Sequence, residues 1–316
     1  MNDYTAKSLF SLYDVKRHVC ALFVLLAVGM LPLLSACTGL DARPEAGGSE
    51  PSIRVVTWNI QWFPGQSPRA SEEVQDRHRE GVRAYLPGLE PDILLLQEIR
   101  DDEAAQFLVD SVPGLELHVV TAFRRSDPNL SQQIVIASRY PARAGFAEVF
   151  TGIYDDPETD PYRGFAFAAL ESPIEGTLLV YSVHLKSNLG EPADNIRMRE
   201  ASAQQILNHV AVMKEQYAEY GPVSVIVAGD FNLLLQRKEM AHERTLDMFV
   251  EAGFHWTWDG VPFRRRVTWP ADGRFDDACF DYILTLNLPH RRARVLHKPE
   301  GELSDHRPVL LRVPIE

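Results

Sequence analysis

An acid and an imidazole lie side by side near the end of this chain, where Asp305 and His306 precede an apolar run at residues 309–313. Taken singly, such a pair has little specificity. Four earlier polar clusters also lie at the end of an apolar run, and each contains an amide, a carboxylate or an imidazole: Thr57-Trp58-Asn59, Leu96-Gln97-Glu98, residues 182–186 around His184, and residues 229–232 around Asp230 and Asn232. Side chains of these types can bind a divalent cation and activate water. Together they predict a metal-dependent phosphoester hydrolase.

Hydrolysis of a phosphodiester needs a cation on the non-bridging oxygens, a group that aligns water, and help for the departing oxygen. Magnesium suits the first requirement because it prefers carboxylate and amide oxygens, and manganese is the alternative ion. Glu98 is predicted as the first metal ligand, with Asn59 and Asp305 assisting it. The amides of Asn59 and Asn232 can also contact a phosphate without adding a negative charge that would repel it.

Two histidines and two further aspartates are the candidate proton-transfer groups. Asp281 begins an apolar run, where an unpaired carboxylate would be costly, so it is expected to orient the ring of His306 and favour its protonated form. Asp230 is expected to align or deprotonate the attacking water, and His184 to act as a second acid or as a donor to the phosphate. The spacing leaves open which imidazole acts as the base and which as the acid.

Short apolar runs alternate with a few amphipathic stretches, which is typical of sheets covered by helices. Strands are predicted at residues 53–59, 92–97, 132–138, 165–170, 177–184, 223–228, 280–284 and 309–313, and helices at 72–86, 102–111, 194–217 and 241–251. Glu175-Gly176 lies between two of these strands and predicts a hairpin, so the sheet is partly antiparallel rather than doubly wound and parallel. Because side chains alternate between the faces of a strand, functional groups are expected where strands end in loops.

The amino-terminal segment has the pattern of an export signal. Residues 19–36 carry no charge, follow Lys16-Arg17-His18, and end at Leu34-Ser35-Ala36-Cys37. The last four residues resemble a bacterial lipobox, in which the cysteine receives a lipid, so Cys37 is predicted as a lipidation site. Thr38 follows it in place of aspartate, which favours the outer membrane, on its periplasmic side or at the cell surface. The length of the apolar run leaves a retained membrane anchor as the alternative.

The sequence divides into three parts: a lipoprotein signal peptide at residues 1–37, a flexible tether at 38–52 that is polar and contains glycine and proline, and a catalytic domain at 53–316. The 316 residues, 45% of them apolar and 24% charged, suffice for one large core. Of the three cysteines only Cys279 would remain after processing and lipidation, so no disulfide framework is expected. The domain is predicted to be a monomer.

Net charge limits the partners. Without residues 1–37, which hold three basic and two acidic residues, the formal charge changes from −12 to −13, so the domain does not hold a polyanion by bulk attraction. Binding of nucleic acid would require a local basic patch and a metal ion. The strongest candidate for a phosphate contact is the triplet Arg264, Arg265 and Arg266, because Trp269 follows it and Asp281 lies shortly beyond. A solvated surface is the alternative reading of this triplet.

Six blocks, in order along the chain, resemble the endonuclease/exonuclease/phosphatase superfamily, the group of pancreatic-type deoxyribonuclease: Thr-Trp-Asn-Ile, Leu-Gln-Glu, Ser-Val-His-Leu-Lys-Ser, Gly-Asp-Phe-Asn, Phe-Asp-Tyr-Ile and Ser-Asp-His-Arg-Pro-Val. The resemblance covers residues 53–315. It implies an α+β fold, a four-layer α/β/β/α sandwich of two packed mixed β-sheets flanked by helices, with a divalent-metal site at one end. By resemblance Glu98 is the metal ligand, and the residues around it are Asn59, Asp230, Asn232, Asp305 and the paired Asp281 and His306.

His184 favours one branch of that superfamily, because members that resemble deoxyribonuclease, bacterial sphingomyelinase or inositol-phosphate phosphatase carry a histidine there, whereas abasic-site repair endonucleases generally do not. The sequence therefore predicts an exported, magnesium-dependent phosphodiesterase with nuclease-type cleavage of nucleic acid. The nuclease branch often uses calcium as well, which makes Ca²⁺ a further candidate ion. Two alternatives remain: a phosphatase or sphingomyelinase- or phospholipase-like diesterase acting on phosphorylated small molecules or lipid headgroups, and a non-catalytic binding lipoprotein.

Overall fold

The computed structural model of the protein describes residues 51–123, 130–153, 163–296 and 303–315. The predicted signal peptide, the lipidation site Cys37 and the predicted tether up to residue 50 lie outside these ranges. Within the described ranges, no helix combines the length and the apolar character that a membrane span requires.

The described residues contain twelve strands and four α-helices. The strands are β1 (Ser52–Phe63), β2 (Ile93–Ile99), β3 (Glu116–Val120), β4 (Gln133–Ser138), β5 (Ala142–Val149), β6 (Gly164–Leu170), β7 (Thr177–His184), β8 (Val223–Asp230), β9 (His255–Trp256), β10 (Asp281–Leu286), β11 (Arg294–Val295) and β12 (Val309–Pro314). The helices are α1 (Glu72–Tyr85), α2 (Asp102–Val109), α3 (Pro192–Tyr217) and α4 (Thr245–Glu251). Short 3₁₀ turns cover Leu86–Leu89, Ala218–Tyr220, Lys238–Met240 and Phe263–Arg265.

The strands form two mixed sheets of six strands each. The first sheet has the order β11-β12-β1-β2-β4-β3, and the second has the order β5-β6-β7-β8-β10-β9. In each sheet one central pair is parallel, β1 with β2 and β7 with β8, and the other neighbours are antiparallel. The sheets pack face to face, with α1 and α2 against the first and α3 and α4 against the second. The predicted four-layer sandwich is therefore confirmed.

The central strands are apolar on both faces because each face meets a different layer. In β1, Ile53 and Val55 pack in the core between the sheets, whereas Val56, Trp58 and Ile60 pack beneath α1 and α2. Successive side chains thus enter two separate cores, and both are removed from water. Unpaired polar groups are costly in the middle of such a sandwich, which leaves the strand ends for chemistry.

All eight predicted strands and all four predicted helices are present, with bounds that differ by a few residues. Helix α3 begins at Pro192, two residues before the predicted start, because proline fits the first helical position, where its missing N–H is not needed. The strands β3, β5, β9 and β11 were not predicted. In β5 the alanines and the glycine have little intrinsic preference for a strand, and its pairing with β6 holds it in place. β9 and β11 have only two residues each.

The predicted hairpin at Glu175-Gly176 lies between β6 and β7. Gly176 has a φ of +85°, and a Cβ there would lie 1.9 Å from the carbonyl oxygen of Pro222. Only glycine therefore lets this turn pack against the chain that enters β8. The contact sets the beginning of the parallel pair β7 and β8, at whose other end His184 and Asp230 lie.

Candidate active site

Strand pairing in the second sheet brings three of the predicted residues into one row. His184 is the last residue of β7 and is the register partner of Asp230, the last residue of β8. Asp281 is the first residue of β10, which runs antiparallel to β8, and it pairs with Asp230 from the other side. All three side chains are buried. They lie side by side because the parallel strands β7 and β8 end beside the residue at which the antiparallel strand β10 begins.

The first sheet contributes Asn59 and Glu98 through two irregularities. The register of β1 with β2 shifts just after Asn59, and that of β2 with β4 shifts around Glu98. Glu98 has a φ of +63°, and Gln61 and Trp62 have φ values of +38° and +49°, a region that residues with a side chain rarely occupy. Neighbouring contacts hold this conformation, since the backbone N–H of Trp62 donates to Glu98 Oε2 at 2.9 Å. The regular pairing of β2 with β1 and with β4 is therefore interrupted around Glu98.

The loop before β12 is tied to β1. Ser304 Oγ donates to the carbonyl of Asn59 at 2.7 Å and accepts from the backbone N–H of His306 at 3.0 Å. Trp58 Nε1 donates to the carbonyl of His306 at 3.0 Å. The imidazole of His306 is thus fixed to the first sheet while it faces the acids of the second.

The side chain of His306 forms the shortest hydrogen bond between the loop before β12 and the acids of the second sheet. Its Nδ1 lies 2.8 Å from Asp281 Oδ2, and its Nε2 lies 3.8 Å from Asp230 Oδ2. Burial alone would lower the pKa of His306, but the carboxylates of Asp281 and Asp230 together outweigh it and raise this pKa to about 10. The ring therefore carries a proton at neutral pH.

Asn59 bridges the carboxylates of the two sheets. Its Nδ2 donates to Asp230 Oδ2 at 3.0 Å and to Glu98 Oε1 at 3.1 Å. Burial, with repulsion from neighbouring acids, raises the pKa of Asp230 to about 7, even though the charge of His306 and the bond from Asn59 oppose the shift. Burial and the charge of Asp305 likewise raise the pKa of Glu98. The pKa values of both Asp230 and Glu98 are therefore higher than those of ordinary carboxyl groups.

His184 differs from His306 in its protonation. Its Nε2 lies 3.6 Å from Asp230 Oδ2 and 3.8 Å from Glu98 Oε1. Burial, and then the positive charges of Arg163 and His306, lower the pKa of His184 well below its usual value. One imidazole of the site is therefore charged and the other neutral.

An excess of carboxylates makes this site fit a divalent cation. Asp230 and Asp281 are buried, the side chain of Glu98 is only 14% exposed, and Asp305 is close enough to raise the pKa of Glu98. Asp281 Oδ1 has no hydrogen-bond partner among the described residues. Asp230, Asp281 and His306 offer ligand atoms within 4.8 Å of one another, but Asp281 and His306 already bind each other. The oxygens around Glu98 are therefore the better match for a hard ion such as Mg²⁺.

A family model described as the endonuclease/exonuclease/phosphatase family matches residues 56–306. This chain belongs to that family. The matched region begins in β1 and ends at His306, so it contains all of the strands and loops that form the site. Members of the endonuclease/exonuclease/phosphatase family hydrolyse phosphoesters, which agrees with a cavity built from acids, amides and imidazoles.

Solved structures share the fold of this family member at low sequence identity. An endonuclease/exonuclease/phosphatase from Bacteroides vulgatus aligns with a TM-score of 0.61 and 17% identity, over 84% of this chain and 100% of its own. A humanized D. rerio TDP2 with 14 mutations gives a TM-score of 0.58 and 19% identity, over 83% and 98%. Beta toxin from Staphylococcus aureus gives 0.58 and 16%, over 82% and 98%. Among curated proteins no match was found.

The amide oxygen of Asn59 is held by a backbone contact. Its Oδ1 accepts from the backbone N–H of Gln61 at 3.0 Å, and this backbone donor fixes which end of the amide is the acceptor. The amino group points at Glu98 and Asp230. In this arrangement the amino group of Asn59 separates two acids as a donor, and its role as an oxygen ligand of a metal stays a prediction.

The arginine triplet is not part of the lining of the site. Among the described residues, none of Arg264, Arg265 and Arg266 lines the cavity into which the site opens. Arg264 and Arg265 are exposed on a 3₁₀ turn, and the guanidinium of Arg266 lies 4.9 Å from the centroid of the Trp256 ring at the sheet edge. The ring of Trp256 in β9 contacts Arg266, and the turn exposes the other two, so a contact of this triplet with phosphate stays a prediction and would have to form outside the cavity.

Asn232 lies in the site as predicted, and its backbone forms a shorter hydrogen bond there than its side chain does. Its N–H donates to Asp230 Oδ1 at 2.9 Å, in a residue with a φ of +56°. Its Nδ2 donates to the carbonyl of Leu185 at 3.3 Å, and the side chain lines the cavity. Asn232 therefore orients the carboxylate of Asp230.

Arg163 is a residue of the site that the sequence analysis missed. Its Nη1 donates to the carbonyls of His184 and Leu185 at 3.1 and 2.5 Å, and it lines the cavity. Arg163 precedes β6, which is antiparallel to β7, so the beginning of β6 lies beside the end of β7. The beginning of an antiparallel strand can therefore contribute a side chain to this site, as the end of a parallel strand does.

A buried ion pair supports the loop that follows β7. Arg199 of α3 and Glu243 are fully buried and form two contacts, 2.6 Å from Nε to Oε1 and 2.7 Å from Nη2 to Oε2. Arg199 Nη1 also donates to the carbonyl of Lys186 at 2.9 Å and to Asn188 Oδ1 at 3.2 Å. Asn188 in turn donates to the carbonyl of Asn232 at 2.8 Å. The pair thus connects α3 to the site through two loops.

The cluster opens into a cavity of about 510 Å³. Catalytic candidates and amides form one part of its wall. Its apolar and aromatic residues are Trp62, Leu189, Leu234, Trp269, Phe275, Ala278 and Phe280, and Arg163, Ser187, Arg237 and Asp276 complete the lining. A cavity of this size admits one phosphoester group together with a substituent.

Proposed function

We propose that this member of the endonuclease/exonuclease/phosphatase family is a divalent-metal-dependent phosphodiesterase, with nuclease-type cleavage of nucleic acid as its leading reaction. The observation that carries the proposal is one cavity in which Glu98 and Asp230 meet the pair of Asp281 and His306. An excess of acids beside one protonated imidazole suits a phosphate that binds together with a cation.

Glu98 is the proposed principal ligand of the cation, with Asp305 beside it. Mg²⁺ or Mn²⁺ is the proposed ion, and Ca²⁺ would accept the same oxygen donors. When bound, such an ion neutralises the non-bridging oxygens that would otherwise repel the nucleophile. Glu98 is oriented in advance, because Trp62 N–H donates to Oε2 and Asn59 Nδ2 donates to Oε1.

The protonation states of the two imidazoles give them different roles. Asp230, whose pKa is raised to about 7, can accept the proton of the attacking water. His306 carries a proton that it can donate toward the phosphate or the departing oxygen, and Asp281 holds its ring. His184 is neutral and can exchange hydrogen bonds with water or phosphate. His306 is thus the proposed acid and Asp230 the proposed base.

An experiment has to distinguish nucleic acid from lipid or small-molecule phosphodiesters as the substrate, because the fold is compatible with all of them. TDP2 and beta toxin align with the same TM-score of 0.58. The purified full-length chain would be assayed on plasmid DNA, RNA, sphingomyelin and inositol phosphates, with Mg²⁺, with Mn²⁺ and with chelator. Cleavage of DNA or RNA that chelator abolishes is expected. Turnover that is insensitive to chelator would exclude the mechanism, and turnover of only the other substrates would select the alternative.

The amino-terminal sequence supports a second proposal, on location. We infer that residues 1–37 direct export, that Cys37 receives a lipid, and that residues 38–52 tether a monomeric domain to a membrane, with the outer membrane as the leading choice. Metabolic labelling with a radioactive fatty acid should mark the wild type and leave Cys37→Ser unlabelled. Equal labelling of the two proteins would refute lipidation at this cysteine.

A further inference from the structure

A hairpin beside the catalytic cluster has no role in the proposed reaction. Trp269 and Ala278 form an antiparallel bridge, with backbone hydrogen bonds of 3.0 and 2.8 Å in the two directions. The turn between them is closed by Asp272 Oδ1, which accepts from the backbone N–H groups of Arg274 and Phe275 at 2.8 and 2.9 Å. The aromatic side chains of this hairpin are therefore positioned by its own hydrogen bonds.

Three aromatic rings lead from the mouth of the cavity to His306. The centroids of Phe275 and Trp269 are 6.0 Å apart, those of Trp269 and Phe280 are 5.8 Å apart, and those of Phe280 and His306 are 5.9 Å apart. Trp269 Nε1 donates to Asp305 Oδ2 at 3.2 Å, which orients the indole without a ligand. Phe275 is 45% exposed at the rim. An aromatic surface thus adjoins the reacting groups.

The loop after β8 completes this wall. Leu234 packs in a small apolar cluster with Ala278, against which Trp269 also packs. Gln236 Nε2 donates to the carbonyl of Asp277 at 3.4 Å, which joins the loop to the hairpin. The next residue, Arg237, is exposed and lines the same cavity. Apolar rings, the positive charge of Arg237 and the negative charge of Asp276 therefore line the opening together.

We propose that this wall is a subsite for a planar ring on a substituent of the scissile phosphate, a nucleobase, with Arg237 placed for a neighbouring phosphate. The inference rests on the proposed phosphodiesterase function and names its substrate class. Bases stack on aromatic side chains with little dependence on sequence, and a wall that is oriented in advance loses little conformational entropy on binding.

The contact of Arg274 with Phe275 favours a neutral ring over a quaternary ammonium headgroup. The guanidinium of Arg274 already lies 4.9 Å from the centroid of Phe275, so a cationic headgroup would have to share that ring with another cation. The charges of Arg237 and Asp276 at the cavity offset each other. A neutral base can stack on both the ring and a guanidinium. An acyl chain would end against the polar groups of Asp305 and His306, whose burial without partners is costly.

The test measures equilibrium binding to the full-length chain with Mg²⁺, by calorimetry, for thymidine 5′-monophosphate, 2-deoxyribose 5-phosphate and phosphocholine. The base should tighten binding by about tenfold over the ringless sugar phosphate. Phe275→Ala and Phe275→Leu should remove this gain, whereas Phe275→Tyr should retain it. Leu189→Ala is the matched control, because Leu189 is 77% exposed on a different loop at the same rim.

Equal affinity for the two sugar phosphates, tightest binding of phosphocholine, or a base preference that survives Phe275→Ala would each overturn the subsite. Hydrolysis of plasmid DNA is measured separately on the same proteins. A preference for the base that depends on Phe275, in a protein that hydrolyses nothing, would keep the subsite and refute the proposed function. Cleavage of DNA without any preference for the base would refute the subsite alone.

Discussion

Two buried ion pairs of this protein differ in how completely their charges are balanced. Arg199 and Glu243 make a two-point contact, and Thr245 Oγ1 donates to the same Glu243 Oε1 at 2.9 Å. Asp281 and His306 instead share their surroundings with Asp230 and other acids, and Asp281 Oδ1 has no hydrogen-bond partner among the described residues. The first pair is saturated, and the second has capacity left for a ligand.

The difference indicates that burial of charge serves two purposes here. A balanced pair that meets all of its hydrogen bonds fixes the loops it contacts, and losing one partner leaves an isolated buried charge. An unbalanced cluster stores repulsion that a cation or a proton can relieve. We therefore expect the same chemical change, acid to amide, to have opposite effects on stability in the two places.

The largest expected effect is on catalysis. His306→Ala removes the protonated imidazole that Asp281 holds at 2.8 Å, and we expect kcat to fall by about 10²- to 10⁴-fold, the usual contribution of a positioned acid. Single-turnover hydrolysis of the best substrate measures the change, with circular dichroism as the control for folding. Turnover near that of the wild type would show that the unbalanced pair has no role in the reaction.

The next effect concerns the balanced pair. Glu243→Gln leaves Arg199 as an uncompensated buried charge, and we expect the free energy of unfolding to fall by about 3–5 kcal/mol. Glu251→Gln is the matched control, because Glu251 makes contacts of 2.6 and 2.7 Å with Arg244 but is 64% exposed. Its cost should stay below about 1 kcal/mol. Urea denaturation compares the two variants, and equal losses would contradict the role assigned to burial.

Metal binding should stabilise the folded protein through the acidic cluster that contains Glu98, and not through the pair of Arg199 and Glu243. Mg²⁺ at about 100 times its dissociation constant should raise the free energy of unfolding by about 2.7 kcal/mol, because it binds the folded state. Glu98→Gln should lose most of this increment, whereas Glu243→Gln should retain it. Thermal melts with Mg²⁺ and with chelator give the increment for each protein. An increment that Glu98→Gln leaves intact would place the cation elsewhere.

The smallest expected effect is a gain in the free energy of unfolding, opposite in sign to the loss expected for Glu243→Gln. The pKa of Asp230 is raised from 3.8 to about 7 by folding, so the stability it contributes is fully present below about pH 3.8 and is lost as pH rises through about 7. In chelator at pH 8, Asp230→Asn should therefore stabilise the protein by on the order of 2 kcal/mol, after the loss of the bond from Asn59 is included. The gain should shrink as pH falls to 4. Melts across this pH range test it, and destabilisation at pH 8 would break the comparison with Glu243.

The sequence predicted the sandwich and most of the cluster for the same reason. Short apolar runs define the strands, and the polar groups at the ends of these runs must lie together where the strands of a sheet end. His184 and Asp230 illustrate this, because the last residues of two adjacent parallel strands are neighbours by register. The end of an apolar run therefore carries information on position as well as on secondary structure.

Three features of the site did not follow from the pattern. Arg163 lies beside the end of β7 because β6 is antiparallel to it, as the predicted hairpin implies, but an arginine just before an apolar run is as typical of a solvated surface as of a site. Asn59 turns its oxygen to Gln61, a choice made by one backbone donor at an irregular register. Arg266 contacts Trp256 instead of the cavity, although it lies near Trp269 in the sequence.

The sequence by itself determined which residues could carry the chemistry and that strand ends would hold most of them, since hydrophobic pattern and side-chain type are local properties. Tertiary structure alone decided how the acids share charge, which imidazole is protonated, and which arginine faces the cavity. Those properties depend on burial and on distances of a few ångströms between residues far apart in the chain, such as Asp230 and His306. Electrostatic interactions change steeply over such distances, and spacing along the sequence does not encode them.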